Sequence, residues 1–173
     1  MLVTHDTPVG RLTLGASGSG LTICSFRSAA AVARRYPGAA GAAEDGPAAR
    51  RCLETARREL GAYFGGRLRE FTVPADLRLA SAFDRQVLGG LAAVGYGRTT
   101  TYRQLAESLG LPRGSAYDVG QALARNPVVI VVPCHRVLAA DGGLTGYAGG
   151  LPAKRRLLDL ESAATMPRLD LAV

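Results

Sequence analysis

Residues 127–133, PVVIVVP, set five branched apolar residues between two prolines, and Cys134, His135 and Arg136 follow at once. Such a run reads as a short buried strand or extended segment. Pro133 ends its hydrogen-bonded ladder and fixes its own backbone torsion. The fold must therefore bring a thiol, an imidazole and a guanidinium to the end of an apolar segment. Neighbours on an extended chain point to opposite faces, so Cys134 and His135 can cooperate only if the backbone bends at Pro133 or a water bridges them. A nearby base or helix-end field raises the thiolate fraction, which nucleophilic chemistry requires. The base needs an orienting partner. Asp141, Asp159 and Glu161 lie downstream, and position alone does not choose among them.

The rest of the chain offers few competing centres. Its three cysteines, Cys24, Cys52 and Cys134, are an odd and widely spaced set, against a disulfide framework and against paired metal-ligand spacing. Cys24 and Cys52 read as small core hydrophobes, and His5 as a surface or strand residue. Neither a membrane-spanning apolar run nor a secretory start is visible, so a cytoplasmic protein is expected. The net charge of +7 suits an anionic partner, nucleic acid first. It is spread evenly, with 10 basic and 7 acidic residues up to position 77 and 11 and 7 after it, so charge does not locate a binding face. An arginine-rich composition can equally reflect genomic base content.

Periodicity divides the chain in two. Residues 9–26 alternate apolar and polar around SGSG, a hairpin signal; residues 37–47 read as a surface loop; and Leu53, Ala56, Leu60, Tyr63 and Phe64 recur at helical spacing between Pro47 and Gly65. REFTVP suggests a further strand, and ADLRLA a linker. Beyond it, Ser81 with Asp84 resembles a capping box. A helix follows to Gly95, a second spans TTTYRQLAESLG, and a third starts at Ser115. These last two, joined by a Gly/Pro-containing turn, outline a helix-turn-helix, though an ordinary helical hairpin gives the same pattern. A final helix runs from Pro152, with KRR at 154–156 reading as its solvated face.

NPVVIVVPCHRV, followed by GYAGG and LLDLE, resembles the active-site signature of the O6-alkylguanine-DNA alkyltransferases. TPVGRLTL, LGAYFGG and FDRQVLGGLAAVGYGRTTTYRQLA extend the resemblance over nearly the whole chain. It implies an α+β protein: a small N-terminal α/β domain with a hairpin-containing sheet over residues 1–77, and a mainly helical C-terminal domain with a helix-turn-helix over residues 78–173. By the same resemblance Cys134 is the alkyl acceptor, His135 a water-mediated general base, Glu161 the carboxylate orienting it, Asn126 the brace of the active-site turn, and Tyr102 a proton source for the flipped base. Arg136 is structural, and Val137, Tyr147 and Ala148 border the substrate pocket. The recognition helix carries Ser115, Tyr117, Asp118, Gly120, Gln121 and Arg125. The implied partner is double-stranded DNA bearing O6-alkylguanine, bound by a monomer with scope for cooperativity along DNA. No cofactor, metal or membrane is implied.

The pattern departs from the family at the recognition helix. Tyr117-Asp118-Val119-Gly120 stands where the family has Arg-Ala-Val-Gly, so the arginine that fills the gap left by a flipped base is absent. Tyr117 could stack there; Asp118 favours the helix start but repels phosphate; and Arg113 and Arg125 are candidates to compensate. Two other functions fit parts of the pattern. A lesion sensor that does not repair suits the altered helix but not the acceptor cysteine, and a Cys-His-Glu hydrolase would turn over repeatedly.

Overall fold

The computed structural model describes residues 1–42 and 44–165. Three antiparallel strands, β1 (Leu2–Thr7), β2 (Gly10–Ser17) and β3 (Gly20–Ser25), form a sheet in that order. The hairpin expected over residues 9–26 is β2–β3, and β1 adds a strand ahead of it, its Val3 and His5 opposite Leu14 and Leu12. Helices α1 (Ala29–Arg35) and α2 (Ala39–Ala42) follow, and Val32, Tyr36 and Ala39 bury one face of Ile23. Part of the loop expected over 37–47 is thus ordered by Ala39 and Ala42, both buried. Helix α3 (Pro47–Phe64) lays Leu53, Ala56, Leu60 and Tyr63 across β2 and β3. Covered on both faces, β3 is buried throughout.

Residues 69–74 do not form the expected strand. The buried Glu59 carboxylate on α3 accepts Thr72 N–H at 2.9 Å and Val73 N–H at 3.0 Å, along with the Thr72 hydroxyl. A side chain thereby satisfies backbone donors that a sheet neighbour would otherwise take.

The second part is mainly helical: α4 (Ala82–Gly90), running into a short 3₁₀ turn, α5 (Tyr102–Ser108), α6 (Ala116–Ala124) and α7 (Gly150–Thr165), with a two-residue parallel pair of β4 (Thr100–Thr101) and β5 (Val137–Leu138). Ser81 caps α4 by accepting Asp84 N–H at 3.1 Å. The Asp84 carboxylate also bonds back to Ser81 and is buried against Arg125. Thr101 and Gln104 form a full capping box on α5, and Gly110 ends that helix at φ 66°. Helices α4, α5 and α6 pack on one another.

Backbone joins the two parts. Cys24 N–H donates to Pro127 O at 2.8 Å and Val129 N–H to Cys24 O at 2.9 Å, so the apolar run docks on the open edge of β3. It then turns sharply instead of continuing extended: Val132 N–H donates to Val128 O at 2.9 Å, and Ile130 sits at φ 74°. A β-branched residue there is strained by about 1–3 kcal/mol. One apolar cluster runs from Leu12 and Leu14 through α3, α4 and α6 to Cys134 and Leu157.

Further along β3, Leu21 exchanges backbone bonds with Pro74 O and Asp76 N, and a Cβ on Gly20 would lie 2.5 Å from Pro74 O. Gly20→Ala is therefore expected to lower stability by about 1–3 kcal/mol, the usual cost of overpacking, read as a shift in chemical denaturation. An unchanged midpoint would contradict this close approach.

Candidate active site

Asn126 organises the turn that carries the thiol. Its Oδ1 accepts Val128 N–H at 2.9 Å, and its Nδ2 donates to Val132 O at 3.0 Å and to Cys134 Sγ at 3.2 Å. This side chain spans the strained turn and fixes the sulfur at its far end. Residues Cys134–Arg136 form a single 3₁₀ turn directly after Pro133. The bend separates the two neighbours: Cys134 borders a cavity, while His135 is fully buried behind it.

Behind the turn, Glu161 of α7 collects the polar groups. Its carboxylate lies 2.9 Å from His135 Nε2 and accepts from Arg136 Nε at 2.9 Å and Nη2 at 3.0 Å, from Tyr63 Oη at 2.7 Å, and from Gly97 N–H at 3.0 Å. Burial alone would raise this carboxyl; hydrogen bonds from His135 and Arg136 outweigh it and bring the group down to about 2. The ionised carboxylate fixes the tautomer. Nε2 carries the proton toward Glu161, leaving the Nδ1 lone pair available, and Nδ1 has no protein partner among the described residues. Burial lowers the imidazole's proton affinity despite Glu161. It also raises the Cys134 thiol, against the opposing effects of the Asn126 bond and of Lys154. The resting centre is thus a thiol with a neutral imidazole, able to ionise when a proton passes to His135.

The cavity above Cys134 measures about 510 Å³ and is lined by Tyr102, Tyr117, Gly120, Gln121, Tyr147 and Ala148, among others. Tyr102 shares a hydrogen bond of 2.9 Å with Thr145, and its ring lies beside Gly120 of α6. Tyr147 packs edge-on to His135 at 6.4 Å between ring centres. The volume suits a purine-sized group with its reacting carbon brought to the sulfur.

Residues 3–77 match the family described as 6-O-methylguanine DNA methyltransferase, ribonuclease-like domain, and residues 82–163 its DNA binding domain. The methylated-DNA–protein-cysteine methyltransferase of Mycolicibacterium paratuberculosis is 44% identical over 158 residues, spanning 91% of this chain and 90% of that protein. This chain belongs to the methylated-DNA–protein-cysteine methyltransferase family. The Mycobacterium tuberculosis O6-methylguanine methyltransferase structure superposes with TM-score 0.78 at 38% identity, covering 97% of this chain and 96% of that one. The OGT of that organism in complex with DNA gives 0.77 at 39%, covering 93% and 92%.

In this methyltransferase the residues singled out from sequence fall into three groups. Cys134, His135, Glu161, Asn126 and Arg136 form one connected cluster. Tyr102, Tyr117, Gly120, Gln121, Tyr147 and Ala148 line the cavity. The others stand outside both groups. Val137 is buried on β5, Ser115 precedes α6 without a side-chain cap, and Asp118 is exposed in the first turn of α6. Arg125 is held by Asp84 through Nε at 2.9 Å and Nη2 at 2.6 Å, which occupies the guanidinium considered as a compensating cation. No group of three His, Cys, Asp or Glu suited to a metal lies together among the described residues.

Arg155 and Arg156 are exposed, as expected of a solvated face, but Lys154 is not. It is 1% exposed and donates to Val137 O at 2.7 Å and Thr145 O at 3.0 Å, tying β5 to the cavity loop. The sequence hint was its being the single lysine among 21 basic residues. Tyr63 was read only as a core residue, and its hydroxyl bond to Glu161 had no sequence signal.

The Glu161 carboxyl lies below its ordinary 4.5 at about 2. A depressed acid stabilises the fold fully above its unfolded value and loses that contribution as pH falls through the folded one. Between pH 4.5 and 2 the unfolding free energy should therefore fall by about 3 kcal/mol from this group. Glu161→Gln should remove that part of the acid dependence in denaturant titrations. An identical acid profile would refute the assignment.

Proposed function

We propose that this protein repairs alkylated DNA by moving a methyl or other small alkyl group from O6 of guanine, and less readily O4 of thymine, to Cys134, once per molecule. The observation that carries this reading is the Cys134 sulfur at the border of the cavity, braced by Asn126, in front of the His135–Glu161 pair. O6 is hidden in a stacked duplex, so the nucleotide is swung into the cavity at a cost of a few kcal/mol, least for a weakened pair. The Cys134 proton passes to His135 Nδ1 through a bridging water. The sulfur bonds to the alkyl carbon as the carbon–O6 bond breaks, and guanine leaves as an anion that takes a proton from Tyr102. The thioether offers no carbonyl for water to attack, so the thiol is not regenerated.

DNA is the partner that the DNA-binding family domain and the DNA complex of a relative support. In this reading α5 and α6 act as a helix-turn-helix, with residues 1–77 and 78–173 as the two domains. The protein works as a monomer, with cooperativity along DNA, in the cytoplasm where its substrate lies. No helix among the described residues is long and apolar enough to cross a membrane. A sensor that binds without repair is disfavoured by the acceptor thiol itself. Tyr117, 73% exposed at the cavity border, takes the place of the missing arginine by stacking where the base has left.

Incubation with an O6-methylguanine duplex should add one methyl increment to the intact mass, mapped to Cys134 and lost in Cys134→Ser. Label elsewhere, repeated turnover, or tight binding without transfer would each sink the reading. Tyr117→Ala should slow transfer from duplex about tenfold, in line with 1–3 kcal/mol per stacked base, while Tyr117→Phe stays near wild type.

A further inference from the structure

One wall of the cavity comes from neither α6 nor the loop at 145–148. Among its lining residues Arg27 alone belongs to the N-terminal part, and Arg27 alone among them is an Arg, Lys, Asp or Glu. Its backbone is held on both sides. Arg27 N–H donates to Ser25 Oγ at 3.2 Å, and Arg27 O accepts from Thr13 Oγ1 at 2.7 Å. Phe26 beside it packs edge-on against Tyr147, with ring centres 5.7 Å apart, and closes over Gly149, where a Cβ would lie 2.7 Å from the Phe26 ring. The corner after β3 is thus keyed into the loop at 145–148.

The guanidinium itself is exposed and makes no ion pair or side-chain hydrogen bond among the described residues. In the C-terminal part, Arg125 is held by Asp84, Arg136 by Glu161, and Lys154 by two carbonyls. The first turn of α6 offers an exposed carboxylate, Asp118, and no cation. A fixed backbone thus presents a free positive charge at a cavity whose other lining residues are neutral. A nucleotide swung into that cavity carries its flanking phosphates to the mouth, and phosphate is the group an uncommitted arginine recognises best.

We infer that Arg27 binds a phosphate of the extruded nucleotide, so that the N-terminal part contributes directly to substrate binding. This rests on the alkyl-transfer reading above. The charge comes from the corner after β3 and not from α6, so it holds the swung-out strand independently of the residues that insert into the duplex.

Single-turnover transfer from an O6-methylguanine duplex, measured over a salt series for wild type, Arg27→Gln and Arg27→Lys, tests the inference. Alkylation of Cys134 by iodoacetamide, a neutral probe without phosphate, serves as the control. Arg27→Gln should slow transfer about tenfold at low salt and reduce the slope of log rate against log salt by about 0.9, as for one phosphate contact. Arg27→Lys should keep the wild-type slope, and the iodoacetamide rate should be the same in all three. An undiminished slope in Arg27→Gln overturns the inference. So does a matching loss of iodoacetamide reactivity, which would place Arg27 in the architecture of the thiol. A wild type that transfers no methyl group sinks the alkyl-transfer reading itself and takes this inference with it.

Discussion

A single buried carboxylate ties the site together. Glu161 draws Tyr63 from α3, Gly97 from the segment before β4, and His135 and Arg136 from the active-site turn onto one side chain of α7. A lone ionised group in that environment would be costly, and removing one partner of such an arrangement typically costs about 3–5 kcal/mol. Arg136 neutralises it and reaches on to Val94 O at 2.6 Å, which anchors the end of the α4 region as well. The same carboxylate decides the imidazole tautomer. Fold stability and the free lone pair at Nδ1 therefore share one cause.

The thiol is positioned by a second device, made mostly of backbone. The edge of β3 takes up the apolar run at Pro127 and Val129, and Tyr36 donates to the carbonyls of Arg125 and Asn126 at 3.0 and 3.2 Å. The N-terminal part thereby holds the residue whose amide grips Cys134 Sγ. Ile130 in a left-handed conformation shows that this turn is imposed by its surroundings, since its side chain disfavours it. The two parts meet at the turn that carries Cys134, so neither alone completes the candidate site.

Much of this was legible from residue order. Periodicity located α3 from Pro47, the capping signal at Ser81 and the span TTTYRQLAESLG located α4 and α5, and the Cys-His-Arg string marked the centre. Spacing left Asp141, Asp159 and Glu161 open as partners, because a contact 26 residues away depends on how α7 is docked. The turn at 127–133 was misjudged as extended: five branched apolar residues state a strong strand preference, and only the β3 edge and the Asn126 bonds override it. Glu59 replacing a strand neighbour, Asp84 pairing also with Arg125, and Lys154 buried in a basic run share a cause. Each is a polar side chain whose partner lies far along the chain, and local patterns carry no trace of such pairings.

The burial that raises the thiol and lowers the imidazole has a chemical consequence. A permanently ionised sulfur would react with any electrophile small enough to reach it, and a reagent used once per molecule would be lost to such encounters. Here the charge-separated pair is disfavoured at rest, and the sulfur faces outward only into a cavity of about 510 Å³. In the proposed reaction a guanine-sized occupant expels water from that space, brings its carbon to the sulfur, and provides in its own departing anion the acceptor for a proton. Proton transfer, bond formation and departure then reinforce one another only when the cavity is filled. Selectivity in such a site comes from coupling ionisation to occupancy: burial keeps His135 neutral at rest, while Glu161 holds the ring correctly turned and favours its protonated form once a proton arrives.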